Sequence, residues 1–387
     1  MKHVKGAFEK LQERGFIHSA SHMEETKKAL DVGPVTFYHG IDPTADNLHI
    51  GHFFGLQIFK ILQDYGHNGV LLVGNATAKI GDPSFKSDMR KPMTAEEVNH
   101  NAYSIGKAVS RFVDTQRTRI VFNDDWMRGR DFVDFAFSVG THFNIAEMLS
   151  KDCYKNRLGS GLTFFELSYM LMQSFDFIHL NNTLGCTLQI GGSDQWANIL
   201  AGVELGRKMS LENGKPRPLM MGFCYPLLTN SEGVKMGKTE KGVLWVNSDK
   251  TSPYEFYQHF YNVADEDVEK LLMFFTDLPP AEIKAMCKND IIAAKKYMAT
   301  AITQKIHGEF ALDIPTETVD AGKGATLVDI LALTSIIKSK REARELIEGG
   351  AILVDDEKIA DVNYCPIKKE FLVKKGKKTF LKIVLKG

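Results

Sequence analysis

Short apolar runs alternate with segments of helical periodicity over about the first 220 residues of this 387-residue chain. Residues 35–38, 69–74, 119–122 and 187–190 are apolar runs bounded by turn residues, which predicts four buried strands. Each run precedes a glycine or turn cluster and then a helix-like segment. This alternation is typical of βαβ units, so we expect a parallel sheet flanked by helices.

Helical spacing is clearest in residues 53–65, where Phe53, Leu56, Phe59 and Leu62 mark one apolar face and Gly66 suits the C-terminal cap. Residues 163–180 are apolar nearly all round, which predicts a buried helix. Strand signals disappear between residues 252 and 307, and the segments 265–275 and 280–287 are predicted to be short amphipathic helices.

Residues 311–325 are polar and contain glycine and proline, which predicts a linker. Beyond it we predict helices at 327–334 and 339–348, the second stopped by Gly349-Gly350, and strands at 351–354 and 379–385. The chain carries 48 basic and 48 acidic residues, but residues 323–387 hold 14 basic and 9 acidic ones, a net charge of +5. A basic terminal module favours a polyanionic partner, although a solvated charged surface explains the charge equally well.

The five cysteines are scattered and form neither a C-x-x-C pair nor a Cys/His cluster, which argues against a disulfide scaffold or structural zinc. We therefore expect a reducing, cytoplasmic setting. The first 15 residues lack the apolar segment of a signal peptide, and Glu9 and Glu13 argue against a transit peptide. No stretch approaches the roughly 20 apolar residues that a membrane span requires.

The first candidate site lies in residues 35–52, V-T-F-Y-H-G-I-D-P-T-A-D-N-L-H-I-G-H, where a strand ends and a helix opens near His49. Backbone N–H groups at a helix start attract anions, and His49 and His52 can donate hydrogen bonds to phosphate oxygens. Gly51 lets a flat base approach the backbone closely. For H-x-G-H alone, the alternative is a helix that the two histidines merely cap and pack.

A second candidate is the polar loop 231–240, S-E-G-V-K-M-G-K-T-E, in which Lys235 and Lys238 flank Gly237. Such lysines can follow a departing pyrophosphate as point charges, and the glycine gives the loop freedom to close. Taken alone, the pattern favours a solvated surface loop.

A third candidate is the helix face that carries Tyr169, Gln173 and Asp176, which are spaced four and three residues apart. Three polar groups on a buried helix need hydrogen-bond partners, which are either one another or a ligand. Two short segments support a site. In the first, Q-I-G-G-S-D-Q, Gly191-Gly192 allow close approach of a nucleotide, and Asp194 is placed to accept from ribose hydroxyls. The second is G-D-P-S at 81–84, which taken alone is only a turn.

Together these motifs closely resemble the signatures of class I aminoacyl-tRNA synthetases. The string Y-x-G-x-D-P-T-A-x-x-L-H-x-G-H resembles the tyrosyl branch, K-M-G-K-T resembles the K-M-S-K-S loop, and Y-x-x-x-Q-x-x-D resembles the tyrosine pocket. The resemblance implies a Rossmann-type α/β catalytic domain over 1–225 with a connective insertion, and an α-helical domain with the lysine loop over 226–310. It further implies a small α+β RNA-binding domain over 326–387, after the linker 311–325.

The resemblance also implies roles for individual residues. Tyr38 and Asp176 would bind the phenolic hydroxyl of tyrosine, and Tyr169 and Gln173 its ammonium and carboxylate region. The implied site residues are, for catalysis, His49, His52, Lys235, Lys238, Thr44, Lys86 and Arg90; for tyrosine, Tyr38, Asp82, Tyr169, Gln173, Asp176 and Gln195; and for ATP, Gly40, Asp42, Gly51, Gly192, Asp194, Lys238 and Thr239.

The C-terminal segment resembles the S-four-like RNA-binding domain of a ribosomal protein and of bacterial-type tyrosyl-tRNA synthetases. Lys338, Lys340, Arg341 and Arg344 would then contact RNA, and the lysines at 374, 375, 377 and 378 either extend this basic surface or only solubilise the chain end. The connection before this segment is shorter than relatives usually carry, which leaves the anticodon-side geometry open.

The expected activity is that of a tyrosine–tRNA ligase that uses ATP with Mg²⁺, holds no tightly bound cofactor and no metal cage, and forms a homodimer on tRNA(Tyr). Three alternatives remain at this stage. They are a tryptophanyl-tRNA synthetase, a small-molecule nucleotidyltransferase with an H-x-G-H site, and a synthetase-derived RNA-binding or splicing factor without catalysis. The tyrosine-type helix face opposes the first, the lysine loop opposes the second, and the intact His49, His52, Lys235 and Lys238 oppose the third.

Overall fold

The computed structural model describes residues 6–84, 93–159, 161–212, 217–239, 242–309, 314–322, 324–355, 357–376 and 379–386, without the side chains of residues 153, 156, 157, 212, 238 and 239. The chain divides into two compact units, one comprising Met1–Val246 with Tyr261–Met298, the other Asn247–Phe260 with Ala299–Gly387. No helix of the described residues is long and apolar enough to cross a membrane.

The first unit is built on a six-stranded sheet in the order β1-β6-β5-β2-β3-β4, in which every neighbouring pair is parallel except β1 and β6. In chain order its elements begin with α1 (Ala7–Glu13), β1 (Ser19–Ala20), α2 (Met23–Val32), β2 (Thr36–Ile41), α3 (Ile50–Asp64), β3 (Asn68–Val73), α4 (Ala95–Val109), β4 (Thr118–Phe122), α5 (Asp124–Met127), α6 (Phe132–Ser138), α7 (Ile145–Ser150) and α8 (Asp152–Leu158). They continue with α9 (Phe164–Leu184), β5 (Leu188–Gly192), α10 (Trp196–Glu212), β6 (Met221–Tyr225) and the two-stranded hairpin β7 (Lys238–Thr239) and β8 (Gly242–Val243).

The four predicted strands are confirmed as β2 to β5, and the predicted α/β class with them. The buried helix predicted at 163–180 is α9, which begins at a capping box between Thr163 and Glu166 and runs four residues further than expected. Because the parallel strands β2 to β6 point the same way, the segments that follow them meet at one edge of the sheet. Open α/β sheets bind their ligands at this edge.

Short helices follow the sheet in the chain: α11 (Pro253–Tyr261), α12 (Asp265–Phe275), α13 (Pro280–Asn289) and α14 (Ile291–His307). The predicted helices at 265–275 and 280–287 are therefore confirmed. Arg14, which directly follows α1, ties α12 to the rest of the first unit. Its guanidinium donates to the carbonyls of Met273 at 2.7 Å, Leu278 at 3.1 Å and Leu272 at 3.4 Å, and also to that of Thr276. One buried cation thus donates to carbonyls in the last turn of α12 and just beyond it, where the helix itself leaves carbonyls without donors.

The second unit contains a five-stranded sheet in the order β11-β10-β12-β13-β9. Its elements after α14 are β9 (Thr316–Val319), α15 (Leu327–Leu331), α16 (Lys340–Glu348), β10 (Ile352–Val354), β11 (Glu357–Lys358), β12 (Glu370–Lys375) and β13 (Thr379–Leu385). The apolar faces of α15, α16 and the sheet form one core that includes Leu331, Ile347, Val373 and Leu381.

The predicted linker over residues 311–325 is wrong at residues 316–319. These residues form β9, which pairs in parallel with β13 and adds Val319 to the core. The β-branched Thr316, Thr318 and Val319 favour a strand, and the glycine and proline around them concealed it. The second unit also takes in residues 247–260, which the sequence placed in the helical domain.

The lysines of β12 are structural rather than solubilising. Lys374 is 9% exposed and forms an ion pair with Glu255 at the start of α11. Lys375 pairs with Glu342 of α16 at 2.7 Å and donates to the carbonyl of Ile336 at 2.7 Å. Both lysines therefore connect parts of the second unit to its sheet. Lys377 and Lys378 lie outside the described residues.

Candidate active site

A cavity of about 460 Å³ opens at the carboxyl-terminal edge of the six-stranded sheet, and its walls follow the ends of β2, β3, β5 and β6. It brings together fifteen of the predicted site residues: Tyr38, Gly40, Asp42, Thr44, His49, Gly51, His52, Asp82, Tyr169, Gln173, Asp176, Gly192, Asp194, Gln195 and Lys235. Lys86 and Arg90 lie outside the described residues. The backbone of Lys238 and Thr239 forms β7, and their side chains are not described.

His49 and His52 form a reciprocal cap at the start of α3. The backbone N–H of His52 donates to His49 Nδ1 at 3.2 Å, and that of His49 donates to His52 Nδ1 at 3.4 Å. The two rings stack with their centroids 3.7 Å apart. Burial lowers the pKa of His49 to about 4 and that of His52 well below 6.5. Both rings are therefore neutral near pH 7, and with Nδ1 accepting, Nε2 carries the proton that each ring can donate.

The capping alternative and the phosphate-binding interpretation are thus compatible. Capping uses Nδ1 of each ring and leaves Nε2–H for a ligand. A Cβ atom at Gly51 would lie 3.0 Å from Cε1 of His49, so a side chain there would press on the imidazole. The glycine therefore keeps the pair in its stacked position at the cavity wall.

Asp42, which follows β2, accepts from two side chains. Tyr169 Oη donates to Asp42 Oδ2 at 2.9 Å, and Thr77 Oγ1 donates to Asp42 Oδ1 at 2.8 Å. A Cβ at Gly74 would lie 2.2 Å from Asp42 Oδ1, so only glycine fits there. The sequence assigned Tyr169 to tyrosine and Asp42 to ATP, and the structure joins them directly. Thr77 and Gly74 were missed, although Gly74 ends the predicted strand at 69–74 and Thr77 follows it closely.

Asp176 lines the cavity and is 2% exposed. Its Oδ1 accepts from Trp126 Nε1 at 2.7 Å and its Oδ2 from Asn123 Nδ2 at 3.1 Å. Burial raises the pKa of Asp176 to about 7, although these two donors oppose the shift. Asn123 and Trp126 were missed. The signal that points to them is their position immediately after the predicted strand at 119–122.

Tyr38 lines the same cavity, and its hydroxyl is buried with no hydrogen-bond partner among the described residues. Its ring packs on Phe177, with the centroids 5.2 Å apart. Burial, with the neighbouring Asp176 carboxylate, raises the pKa of Tyr38 well above 10, so the phenol stays protonated. A protonated donor thus lies beside a carboxylate that still has acceptor capacity.

Asp82 and Gln195 form a second polar pair in the cavity. Gln195 Nε2 donates to Asp82 Oδ2 at 2.6 Å, and the backbone N–H of Ser84 donates to Asp82 Oδ1 at 3.0 Å. Gln173 Oε1 is buried and has no partner among the described residues. Acidic and amide oxygens collected at one wall suit a cationic group such as a ligand ammonium.

The lysine loop closes as a hairpin after β6. The N–H of Met236 donates to Leu228 O at 2.7 Å, and that of Leu244 donates to Gly237 O at 2.9 Å. Gly237 adopts φ 136°, which L side chains rarely reach. The hairpin runs along the start of α3, where Ile50 N–H donates to Leu244 O at 3.1 Å. Lys235 Nζ lies 3.1 Å from Asp194 Oδ2.

His39 and Tyr225 form a buried pair that the sequence did not single out. His39 Nε2 and Tyr225 Oη lie 2.8 Å apart, across β5 from one another, and burial lowers the pKa of His39 to about 4. A Cβ at Gly55 of α3 would lie 2.6 Å from this phenol oxygen, so the pair and the helix fit only with glycine. Five cavity-lining atoms are buried without partners among the described residues: Tyr38 Oη, His39 Nδ1, Ser84 Oγ, Gln173 Oε1 and Gln189 Oε1.

The predicted RNA-binding residues of the second unit, Lys338, Lys340, Arg341 and Arg344, are all exposed. Lys340 pairs with Asp329 at 2.8 Å, and Arg341 pairs with Glu345 at 2.8 Å. Exposed pairs of this kind are weak and can exchange for phosphate contacts. Across the described part of the chain, no group of three or more His, Cys, Asp or Glu residues could hold a metal ion.

Comparisons with known proteins show the family to which the chain belongs. The family model of "tRNA synthetases class I (W and Y)" matches residues 31–320, and that of the "Tyrosine--tRNA ligase SYY-like C-terminal domain" matches residues 305–383. Tyrosine--tRNA ligase 1 of Clostridium acetobutylicum is 41% identical over 412 residues, which cover 99% of this chain and all of the relative. Tyrosine--tRNA ligase of Clostridium botulinum is 43% identical and covers 97% of this chain and 98% of its own.

Among solved structures, a C-terminally truncated mitochondrial tyrosyl-tRNA synthetase of Aspergillus nidulans superimposes with a TM-score of 0.69 and 29% identity. The match covers 81% of this chain and 92% of that one. A tyrosyl-tRNA synthetase of Archaeoglobus fulgidus complexed with L-tyrosine, 17% identical, shares the fold with a TM-score of 0.59 over 79% of this chain and 98% of that one.

Proposed function

Because the chain belongs to the class I tRNA synthetases of the tryptophan and tyrosine type, we infer that its cavity is the active site of a tyrosine–tRNA ligase. The enzyme activates L-tyrosine with ATP to tyrosyl-adenylate and pyrophosphate, and then transfers tyrosine to the 3′-terminal adenosine of tRNA. Its relatives at about 40% identity over the whole chain carry this activity in their names.

The observation that carries the choice of tyrosine is the unpartnered hydroxyl of Tyr38 beside Asp176. The substrate phenol would donate to Asp176 and accept from Tyr38, which satisfies both groups. Phenylalanine lacks the hydroxyl. It would leave the buried Tyr38 hydroxyl without a partner and give Asp176 no donor beyond Trp126 and Asn123, which costs several kcal/mol. Tyrosyl-tRNA synthetases in general are the standard example of such discrimination, so its size is a property of that family and is no measurement on this chain.

The amino-acid end of the substrate would lie against the polar wall. Asp82 and Gln195 offer a carboxylate and an amide to the ammonium, and the free Oε1 of Gln173 offers a further acceptor. Tyr169 reaches the ammonium region while bonded to Asp42, which holds its hydroxyl in place. This arrangement would aim the substrate carboxylate at the nucleotide.

Activation needs no general base, because a carboxylate is already a nucleophile. The tyrosine carboxylate attacks the α-phosphate in line, its oxygen–phosphorus bond forms, and the bond to the β-phosphate oxygen breaks. Positioning and charge stabilisation supply the rate. The Nε2–H groups of His49 and His52 would donate to the phosphate oxygens, and Thr44 lies at the same wall.

Pyrophosphate would leave towards Lys235 at the cavity wall. We assign the same role to Lys238, Lys86 and Arg90 from their sequence motifs alone. Asp194 would hold the ribose hydroxyls, and Gly40, Gly51, Gly192 and Thr239 would line the nucleotide. Mg²⁺ would arrive with the ATP phosphates and neutralise part of their charge.

The RNA partner would be tRNA(Tyr), bound in part by the exposed basic residues of α16 and the turn before it. Homodimer formation is a further proposal. Within residues 132–165 several large apolar side chains are exposed: Phe132 at 67%, Val133 at 69%, Phe137 at 76%, Ile145 at 59% and Phe164 at 68%. Apolar surface of this extent is typical of a protein interface. The four described cysteines that are free of disulfides suit a cytoplasmic setting.

Amino-acid-dependent ATP–pyrophosphate exchange with tyrosine, phenylalanine and tryptophan tests the proposal. Exchange that strongly prefers tyrosine is expected, together with tyrosine transfer to tRNA. Preference for tryptophan would contradict the assignment of tyrosine as the substrate. No exchange with any of the three amino acids would favour a binding protein without catalysis. Lys238→Ala is expected to slow adenylate formation while tyrosine affinity stays nearly intact, and an unchanged rate would remove the role assigned to this lysine.

A further inference from the structure

Lys235 and Asp194 are assigned to opposite ends of the same nucleotide, yet they contact one another. Lys235 Nζ lies 3.1 Å from Asp194 Oδ2. Asp194 is assigned to the ribose hydroxyls and Lys235 to the leaving pyrophosphate. A ribose hydroxyl that approaches Asp194 therefore meets a carboxylate that already has a cationic partner.

Both partners are held close to this geometry by their surroundings. Asp194 lies in the single turn after β5, and its Oδ1 is only 2.8 Å from where a Cβ on Gly192 would stand. Lys235 lies in the lysine loop before β7, where its backbone pairs with Thr229. The bond from Lys270 Nζ to Thr229 O holds this pairing, and the bond from Ile50 N–H to Leu244 O ties the hairpin that follows to the start of α3. The contact between Lys235 and Asp194 thus belongs to the folded arrangement of the loop.

The consequence differs between ligands. ATP offers phosphates to Lys235 at the same time as its ribose takes Asp194, so the broken ion pair is replaced at both ends. Adenosine offers only the ribose, whose hydroxyl competes with Lys235 for the charge of Asp194 and supplies no phosphate in exchange. Resting on the proposed function, we propose that the Lys235–Asp194 ion pair is a specificity latch that disfavours nucleosides lacking phosphates and is opened by ATP.

The expected effect of this ion pair on ligand affinity depends on how exposed the two side chains are to water. The Lys235 side chain is 63% exposed and that of Asp194 28%, so water screens the pair considerably. Partly exposed pairs of this kind change an equilibrium by roughly two- to fivefold, and the change shrinks as salt screens the charges. The latch is therefore a modest bias between ligands and does not block the site.

The test is calorimetric titration of adenosine into the full-length wild type, Lys235→Met, Lys235→Arg and Lys60→Met. Lys60 is the matched control, because it is an exposed lysine paired with Asp64 at the other end of α3. Lys235→Met is expected to bind adenosine about two- to fivefold more tightly than the wild type, and Lys235→Arg and Lys60→Met are expected to match the wild type. Raising salt should tighten adenosine binding in the wild type and leave Lys235→Met unchanged.

Each variant is also assayed for tyrosine-dependent ATP–pyrophosphate exchange, which separates the two proposals. Slower exchange with tighter adenosine binding in Lys235→Met supports the latch. Slower exchange with equal or weaker adenosine binding overturns the latch and leaves the proposed function standing. Unchanged exchange in Lys235→Met would remove the catalytic role of Lys235. In that case tighter adenosine binding still supports the latch, and equal or weaker binding overturns it.

Discussion

Replacing Tyr38 by phenylalanine is expected to change stability and substrate discrimination in opposite directions. The Tyr38 hydroxyl is buried without a partner among the described residues, so the folded chain bears its desolvation cost uncompensated. An unsatisfied buried polar group costs about 1–3 kcal/mol. The ring itself stays packed on Phe177. Because the removed oxygen leaves a small gap, we expect the lower end, a rise of about 1 kcal/mol in the free energy of unfolding.

The same oxygen is assigned to the phenol of the substrate. Loss of one neutral hydrogen bond costs about 0.5–1.5 kcal/mol, so kcat/KM for tyrosine should fall roughly two- to tenfold. Phenylalanine has no hydroxyl to lose a partner, and its kcat/KM should hold or rise. The tyrosine-to-phenylalanine ratio should therefore fall by at least the same factor.

Urea unfolding measures the first effect, and pyrophosphate exchange with each amino acid measures the second. Tyr169→Phe is the matched control, because its hydroxyl does have a partner, Asp42, and its removal should lower the free energy of unfolding. The reasoning fails if Tyr38→Phe is less stable than the wild type, or if the tyrosine-to-phenylalanine ratio is unchanged.

Three further outcomes are expected. The pKa of Asp176 is raised from 3.8 to about 7, so its stabilising contribution is complete below pH 3.8 and is lost as pH rises through about 7. Urea unfolding from pH 5 to 8 should therefore show the wild type losing stability relative to Asp176→Asn, by at most about 1.4 kcal/mol per pH unit; a constant difference would contradict the shift. Arg14→Met should lower the free energy of unfolding by about 2–4 kcal/mol, because the carbonyls that end α12 lose a buried cationic donor. An equally stable variant by urea unfolding would refute that role. Replacing Lys338, Arg341 and Arg344 together by alanine should raise KM for tRNA about tenfold and weaken the salt dependence of that KM, while tRNA-independent exchange is unchanged. An unchanged KM in aminoacylation assays would show that these residues do not contact the tRNA.

The parts of the fold that could be predicted are those in which local pattern and burial agree. The apolar runs of β2 to β5 and the capped helix α9 are examples. The strand β2 extends to Ile41 because β3 pairs with it over its full length and β5 pairs with it as far as His39, although His39 and Gly40 resemble a turn in the sequence. The strand β12 was not predicted, because its ends are charged. The ion-pair partners of Lys374 and Lys375 are distant in sequence, so they could not be foreseen.

The same difference between local patterns and distant contacts applies to the residues of the candidate site. Residues within short motifs, such as His49, His52 and Asp194, could be predicted as candidates from their spacing, and the structure places them around one cavity. Trp126 and Asn123 could not be identified in this way, because each reaches Asp176 over 50 or more positions in the chain. The His39–Tyr225 bond spans 186 positions and depends on the strand order. Such contacts exist only once the sheet has formed.

The strand β9 decides where the C-terminal module can be cut from the chain. A fragment that starts at residue 326 would lose β9 and leave one edge of β13 without its parallel neighbour. It would also lose Glu255, the counter-ion of the buried Lys374. A free strand edge invites self-association, and a buried lysine that has lost its counter-ion destabilises the fold. A recombinant C-terminal fragment should therefore begin before Thr316 and carry Lys374→Met, and the shorter fragment should aggregate.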